Sequence, residues 1–272
     1  MSWNVTWAVT SSTGPAAGWF PPSKGEEFLR YAKAILVQEE QIEALCVKNS
    51  EKALEVNLCV PRATYISYAF SDFLKHMDSC PSVNVHYMET NSRDTIRGVS
   101  GKTFDVGIIR CQALYESYYM KLLQDENLEW KELWQFSCNV LMSPSHPLAS
   151  RDKLTYLDFT DYIEIVQGDI QNPSFTFEAQ DASATGGNSK KTVSIYDRGS
   201  QFELLRQLPG SYMWTSPVPY GCLTSSGLIQ KTCSYPGNIH KDLLIYRNGY
   251  RFSKEEEEFL RCLSRMVSRL SD

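Results

Sequence analysis

The chain has 272 residues, of which 42% are hydrophobic and 22% charged, and its 27 basic and 32 acidic residues give a net charge of −5. This composition is typical of a globular protein with two domains or lobes, and it excludes a mainly disordered or fibrous chain. The negative balance also excludes a global basic field that would attract nucleic-acid backbones.

The N-terminal stretch lacks the features of a secretory signal. Its first charged residue is Lys24, and polar residues such as Asn4 and Thr6 interrupt any apolar core. Apolar residues nowhere run long enough to cross a bilayer. The sequence therefore predicts a cytoplasmic protein with no membrane partner.

The eight cysteines and four histidines are scattered singly along the chain, with no CxxC pair and no two histidines four residues apart. Such spacing indicates neither a zinc site nor a disulfide framework. Cysteines inside apolar runs, such as Cys59 in Val56–Val60, are typical of free, buried thiols. We therefore expect no metal and no cofactor.

Two different patterns precede the main body of the chain. Residues 1–23 contain three tryptophans and three prolines without helical or strand periodicity, so we predict an irregular segment. From Lys24 a seven-residue repeat predicts one long helix over 24–50 that pairs with another helix. An amphipathic helix packed on its own domain is the alternative. The repeat consists of Phe28, Tyr31, Ile35, Gln38, Ile42 and Leu45.

Strands and helices alternate after this helix. We predict strands at Leu54–Val60, Val83–Met88 and Phe104–Ile109, with helices after Pro61 and from Ser92 to about Val99. This alternation is typical of a parallel sheet with crossover helices, in which ligands bind at the carboxyl ends of the strands.

A second α/β set follows from about Trp130. We predict strands at Leu133–Met142, Tyr162–Val166, Thr192–Tyr196 and Tyr212–Thr215, a loop at Asp181–Lys191 and a helix at Phe202–Leu208. The chain closes with a strand at Asp242–Tyr246 and a helix begun by a capping box of Ser253 and Glu256. The apolar face of that helix is predicted to contain Phe259, Leu263, Met266 and Leu270. Two such sets with a return predict two lobes joined by two crossings.

Catalytic motifs are absent from the sequence. There is no GxSxG pentapeptide, and Gly186–Lys190 lacks the spacing of a phosphate-binding loop. Asp161, Glu164 and Asp169 are close in sequence, but alternate residues of a strand point to opposite faces. We therefore predict no catalytic residues and a chain that is not an enzyme.

Five segments resemble, in the same order, segments of LysR-type transcriptional regulators. The most specific is SKGEEFLRYA at Ser23–Ala32, with Ile35 and Leu36, and the second is HPLA within Ser143–Ala149. The others are EVNLCV with PRATY at Glu55–Tyr65, FDVGIIR at Phe104–Arg110 and FSKEEEEFLRCL at Phe252–Leu263. Together they cover roughly residues 22–270.

The resemblance implies an α/β, two-lobed fold like that of type 2 periplasmic binding proteins, with a preceding linker helix. The first lobe would comprise 52–112 plus 221–272 and the second 113–220, with a small-molecule effector between them. It also implies transcription regulation by a homodimer or homotetramer. The family's winged helix-turn-helix should precede the linker helix, but residues 1–23 show neither a two-helix pattern nor a basic recognition face. We expect DNA binding only if such a domain is supplied, and a truncated or frame-shifted gene product is one explanation.

The resemblance also implies which residues contact the effector. The matching positions are Arg62, Ala63, Thr64, Tyr65, Asn91, Ser92, Gln167, Gly168, Pro173, Ser174 and Phe175. Arg110 directly follows a predicted strand and could bind an effector carboxylate through two parallel hydrogen bonds, so the hypothesis of an anionic effector depends largely on it. The structural alternatives are a helix cap for Thr64, a surface ion pair for Arg110 and a core position for Phe175.

Two other classes of function remain open. A solute-binding protein, cytoplasmic or exported, would share the two-lobed design, but the missing signal and the helix at 24–50 argue against it. An enzyme on the same scaffold would need an acid and a base that converge at the strand ends, and the sequence shows none. We expect a small, polar or anionic metabolite to close the lobes and change the geometry of the oligomer.

Overall fold

The structure is a computed structural model that describes residues 31–32, 35–36, 38, 54–77, 82–169, 191–233 and 237–271. It divides the chain into two units, residues 1–52 and 53–272. The described residues of the first unit are helical, and Tyr31, Ile35 and Leu36 are exposed. The remainder of the predicted helix at 24–50 and the segment 1–23 lie outside the described residues.

The second unit contains two five-stranded sheets with helices around them. The strands are β1 Leu54–Val60, β2 Val83–Glu89, β3 Val106–Gln112, β4 Leu128–Ser137, β5 Asn139–Met142, β6 Ile163–Gln167, β7 Lys191–Ile195, β8 Ser211–Thr215, β9 Ile229–Thr232 and β10 Ile239–Arg247. The helices are α1 Thr64–Lys75, α2 Ser92–Ser100, α3 Glu116–Asp125, α4 Arg198–Gln207, α5 Tyr220–Ser226 and α6 Lys254–Ser271. The sequence analysis did not predict α3, α5 or β9.

The two sheets have equivalent strand orders. The first is β2-β1-β3-β10-β4 and the second is β7-β6-β8-β5-β9. In the first, β1 pairs in parallel with β2 and β3, while β10 runs antiparallel to β3 and β4. In the second, β6 pairs in parallel with β7 and β8, while β5 runs antiparallel to β8 and β9. This architecture confirms the predicted two-lobed α/β fold.

The crossings between the lobes lie later in the chain than predicted. The run Leu133–Met142 was predicted to be one strand, but it is interrupted at Cys138, so that β4 joins the first sheet and β5 the second. The second crossing lies between β9 and β10. The predicted boundaries at 112/113 and 220/221 are therefore displaced, because β4 pairs with β10, a partner remote in sequence that strand periodicity does not reveal.

Hydrogen bonds join the two crossings. The Cys138 amide donates to the Asn238 side-chain oxygen at 2.8 Å, and the Asn238 side-chain amide donates to the Cys138 carbonyl at 2.9 Å. Both residues are buried. The two connections between the lobes are thus held side by side rather than as independent linkers.

The first lobe packs α1 and α6 against its sheet. Ser253 and Glu256 form the predicted capping box, with Glu256 N donating to Ser253 Oγ at 3.1 Å and Ser253 N donating to the Glu256 carboxylate at 2.7 Å. On the predicted apolar face, Phe259 and Leu263 are fully buried beside Phe73 of α1. The sheet is therefore covered on this side by an amphipathic helix pair.

The thiols of both lobes behave as small apolar side chains. Six cysteines among the described residues are free and buried: Cys59, Cys111, Cys138, Cys222, Cys233 and Cys262. Burial raises the pKa of Cys59 to about 11 and that of Cys138 to about 12, so both stay protonated at neutral pH.

Within the described part of the chain, no helix is long and apolar enough to span a bilayer.

Candidate functional site

A cavity of about 270 Å³ lies between the two lobes. Its size is at the lower end of the roughly 300–1,000 Å³ that is usual for small-molecule sites. Most of its wall follows the carboxyl ends of parallel strands in both sheets, the position expected for a ligand in such folds. The polar part of the wall includes Arg62, Thr64, Thr90, Asn91, Ser92, Arg93, Arg110, Gln112, Glu164, Gln167, Arg198, Gln201, Thr215, Ser216 and His240.

Arg62 links the lobes on one side of this cavity. It follows β1 in the first lobe, and its guanidinium lies 2.7 Å from the Asp169 carboxylate, which follows β6 in the second lobe. The two side chains are only 11% and 24% exposed, so water screens the pair less than it screens a surface ion pair. The predicted site residue Arg62 therefore lines the cavity and bridges it.

Arg198 provides a second bridge, from the first turn of α4 in the second lobe. Its guanidinium forms an ion pair with Glu89 at the end of β2 and donates a hydrogen bond of 2.7 Å to Thr64 Oγ1. Thr64 is the first residue of α1, and the cap position is occupied by Ala63. The alternative in which Thr64 caps the helix through its side chain is therefore wrong.

Arg110 lines the cavity, but its guanidinium group is already paired with a carboxylate of the chain. Its Nε lies 2.7 Å and its Nη2 2.6 Å from the two carboxylate oxygens of Asp242, which is fully buried. The Tyr65 hydroxyl donates to the same carboxylate. The two-pronged geometry expected for an effector carboxylate is thus formed with a carboxylate of the chain itself. This corrects the proposed role of Arg110, because its charge is compensated before any ligand enters.

The remaining predicted residues divide into two groups. Asn91, Ser92 and Gln167 line the cavity. Asn91 also caps α2, accepting from the Asp94 amide at 3.0 Å, and Ser92 Oγ donates to the Arg110 carbonyl at 2.8 Å. These two side chains therefore serve the local structure as well as the wall of the cavity.

Ala63, Tyr65 and Gly168 do not line the cavity. Ala63 and Tyr65 are buried in the core of the first lobe, and the Gly168 amide donates to the Ile195 carbonyl at 2.9 Å. Pro173, Ser174 and Phe175 lie outside the described residues, so their contact with a ligand stays a prediction.

Among the titratable groups of the wall, Glu164 and His240 have pKa values displaced toward neutrality or below it. Burial raises the pKa of Glu164 to about 7, against a small opposing effect of the Tyr212 hydroxyl. Burial, with the nearby Arg110 charge, lowers the pKa of His240 to about 4. At neutral pH the His240 imidazole is therefore uncharged, while Glu164 is divided between its neutral and ionised forms.

Sequence reasoning missed most of the wall contributed by the second lobe. Arg198 and Gln201 come from α4, directly after β7, and Thr215 and Ser216 end or follow β8. Arg62 and Asn91 were implied by the family resemblance, and both are polar residues just after a parallel strand. The same position relative to β7 and β8 points to Arg198 and Ser216, but the sequence analysis did not use it for these two strands.

One group of potential metal ligands occurs among the described residues, away from the cavity. His76, Glu258 and Cys262 each place a ligand atom within 4.8 Å of the others. The sequence spacing did not reveal it, because α1 and α6 meet only in the folded chain. Arg265 lies 3.4 Å from the Glu258 carboxylate and 3.1 Å from Cys262 Sγ, so a cation would have to compete with a resident positive charge.

No family model and no curated protein matches the sequence. Solved structures match the fold. The regulatory domain of MetR, a LysR family regulator from N. meningitidis, superposes with a TM-score of 0.53 at 13% identity, over 79% of this chain and 94% of that one. The effector-binding domain of QuiR in complex with shikimate gives 0.53 at 14% identity, over 80% and 99%. A full-length OxyR variant from Pseudomonas aeruginosa gives 0.52 at 12%, over 90% and 80%.

At these identities the likeness shows the fold. The second unit of the chain has the two-lobed fold of the effector-binding domains of LysR family regulators. These neighbours are regulators of transcription rather than enzymes.

Proposed function

We propose that this chain is the ligand-sensing part of a LysR-type transcriptional regulator and that it binds a small metabolite between its lobes without converting it. The observation that carries the proposal is the cavity of about 270 Å³ whose wall comes from both lobes. A ligand in this position contacts both lobes at once, so its binding energy depends on their relative position. Binding and lobe geometry are therefore coupled.

The ion pairs across the cavity support a sensor of lobe position. Three arginines of the wall, Arg62, Arg110 and Arg198, each hold a carboxylate of the chain. Two of these pairs join the lobes, so a change in the relative position of the lobes alters them directly. The pairs hold the lobes together before a ligand arrives, and a ligand shifts the populations of the joined and separated states.

The remaining parts of the proposal concern assembly. The seven-residue repeat over 24–50 supports association as a homodimer or homotetramer. The mass of the purified chain in solution would measure the number of subunits. We propose that the protein acts in the cytoplasm. DNA binding requires a reader domain.

The effector contacts predicted at Arg62, Thr64, Asn91, Ser92 and Gln167 are supported by their position in the cavity wall. Shikimate, the ligand of the QuiR domain, is a reasonable first compound to test.

The test is a thermal-shift screen of the purified chain against a metabolite panel, followed by calorimetry and recovery of the compound. A ligand that binds the folded state raises its melting temperature. We expect a saturable hit that is recovered chemically unchanged. Ser216→Phe should remove the shift, because Ser216 is a buried residue of the wall and the ring would fill the cavity.

Ser264→Phe is the matched control, since Ser264 is exposed on α6 and should leave the shift intact. A hit that is consumed during incubation would replace the sensor with an enzyme. A shift that survives Ser216→Phe would place the ligand elsewhere.

A further inference from the structure

The four arginines of the cavity wall are not equivalent. Arg62, Arg110 and Arg198 are paired with Asp169, Asp242 and Glu89, respectively. Arg93, in the first turn of α2, forms no ion pair with any carboxylate of the described residues. Its Nη2 donates to the Tyr118 hydroxyl at 3.1 Å, and its buried Nε has no hydrogen-bond partner there. The wall therefore contains one positive charge that no carboxylate of the described residues balances.

The second lobe contributes an unused donor to the same cavity. Gln201 of α4 is 1% exposed and lines the wall, and within the described part of the chain its side-chain Nε2 has no hydrogen-bond partner. A buried donor left without an acceptor destabilises a protein by roughly 1–3 kcal/mol, so native structures satisfy nearly all of them. Arg93 and Gln201 thus present unmet donors from opposite lobes to one space.

We propose, on the basis of the proposed function, that the ligand is a small monoanion of the carboxylate class, whose charged group binds Arg93 while a second oxygen accepts a hydrogen bond from Gln201. Such a ligand satisfies both donors and joins the two lobes. One uncompensated arginine favours a single negative charge over a dianion such as a phosphate monoester. Arg93 and Gln201 both belong to first turns of helices, whose positive ends add to the attraction for an anion.

The experiment compares how small monocarboxylates and the corresponding primary amides bind to the full chain. Phosphate monoesters and amines complete the panel, and melting temperature and calorimetric affinity are measured for each. We expect carboxylates to raise the melting temperature and their amides to do so far less. Arg93→Gln should weaken carboxylate binding about 10- to 100-fold, because it removes a charge-assisted hydrogen bond.

Arg97→Gln is the matched control. Arg97 is on the same helix, its side chain is 78% exposed, and the substitution should change affinity by less than about twofold. Gln201→Met provides an independent variant that does not touch Arg93. It should melt at a higher temperature than the parent chain without ligand, because an unmet donor is removed, and it should bind the carboxylate more weakly.

Three results would overturn the inference while leaving the proposed function intact. They are equal binding of an acid and its amide, equal effects of Arg93→Gln and Arg97→Gln, and hits confined to phosphate esters, amines or neutral compounds. A Gln201→Met chain that melts no higher than the parent would show that its amide is already satisfied. A panel in which no compound of any class binds would contradict the proposed function, and this inference with it.

Discussion

Two buried carboxylates, Asp242 in the first lobe and Glu164 in the second, differ in how their charge is compensated. In the first lobe, fully buried Asp242 accepts from Arg110 through both carboxylate oxygens and from the Tyr65 hydroxyl. In the second lobe, the Tyr212 hydroxyl, at 3.5 Å, is the one hydrogen-bond partner of the buried Glu164 carboxylate among the described residues. Buried His146 accepts from the Leu148 amide at 3.0 Å through Nδ1, and its Nε2 has no hydrogen-bond partner among the described residues.

Two sheets with the same strand order therefore differ in whether a buried carboxylate has a positively charged partner. In the first lobe, burial disfavours the charged form of Arg110, but the adjacent Asp242 carboxylate outweighs it and raises the pKa of this guanidinium above its usual value. The isolated groups of the second lobe instead have pKa values displaced toward their neutral forms, about 7 for Glu164 and about 4 for His146. We therefore expect the pH dependence of stability to originate in such isolated groups, Glu164 and His146 in the second lobe and His240 in the first.

The largest expected effect comes from breaking the compensation in the first lobe. Asp242→Ala leaves the Arg110 charge inside the lobe without its partner, and it should lower the free energy of unfolding by about 3–5 kcal/mol. Urea unfolding measures this loss. Asp72→Ala is the control, because Asp72 pairs with Lys75 at an exposed site, where such pairs contribute about 0–1 kcal/mol. Equal losses in the two variants would show that the buried pair is not the support that the structure indicates.

A smaller effect is expected from Glu164→Gln, and it should grow as pH rises from about 4.5 to about 7. The pKa of Glu164 is about 7 in the folded chain, against an ordinary value of 4.5. The folded state therefore binds the proton more tightly, and the stability contributed by the protonated form is lost as pH rises through about 7. The neutral amide should restore on the order of 3 kcal/mol at pH 8 and little at pH 5. Unfolding free energies at both values measure it.

Glu203→Gln is the matched control for this variant. Glu203 lies in the same lobe but is exposed, and hydrogen bonds from Gln207 and Arg206 lower its pKa. Its substitution should bring no gain at pH 8. A similar gain in both variants would mean that burial of Glu164 is not the cause.

The smallest effect is expected on the acid side, at His146. Burial lowers the pKa of this imidazole to about 4 from an ordinary 6.5, so its contribution to stability is present above 6.5 and is lost as pH falls toward 4. His146→Asn keeps an acceptor for the Leu148 amide but cannot be protonated. We expect it to remove roughly 2 kcal/mol of the stability difference between pH 7 and pH 4. If thermal melts show the same loss of stability between pH 7 and pH 4 in His146→Asn as in the parent chain, protonation of His146 is not its cause.

Much of the fold could be predicted because its signals are local. Strand β1 was predicted at its observed bounds, and the capping box of Ser253 and Glu256 formed as expected. Arg62, Asn91 and Ser92, which the family resemblance implied and which follow predicted strands, all line the cavity. The same signal at β7 and β8 points to Arg198 and Ser216, so this half of the wall was predictable although it was not predicted.

Other parts of the site could not be predicted, because they depend on partners distant in the chain. Arg110 and Asp242 are 132 residues apart, and they meet because β3 and β10 place them directly opposite each other. Nothing in the sequence around Arg110 indicates that its guanidinium group is already paired with Asp242. That Arg93 forms no ion pair with a described carboxylate is equally invisible in the sequence, since it follows from where those carboxylates lie in three dimensions.

The sequence by itself determined the alternation of strands and helices, the amphipathic faces and the position of polar residues at strand ends, because each depends on spacing within one segment. Only the tertiary structure decided where the chain crosses between the lobes, at Cys138 and before β10, because strands β4 and β5 are continuous in sequence and differ in their pairing partners. It also decided which arginines of the cavity are balanced. Charge compensation is a property of distances between segments, and no local pattern specifies it.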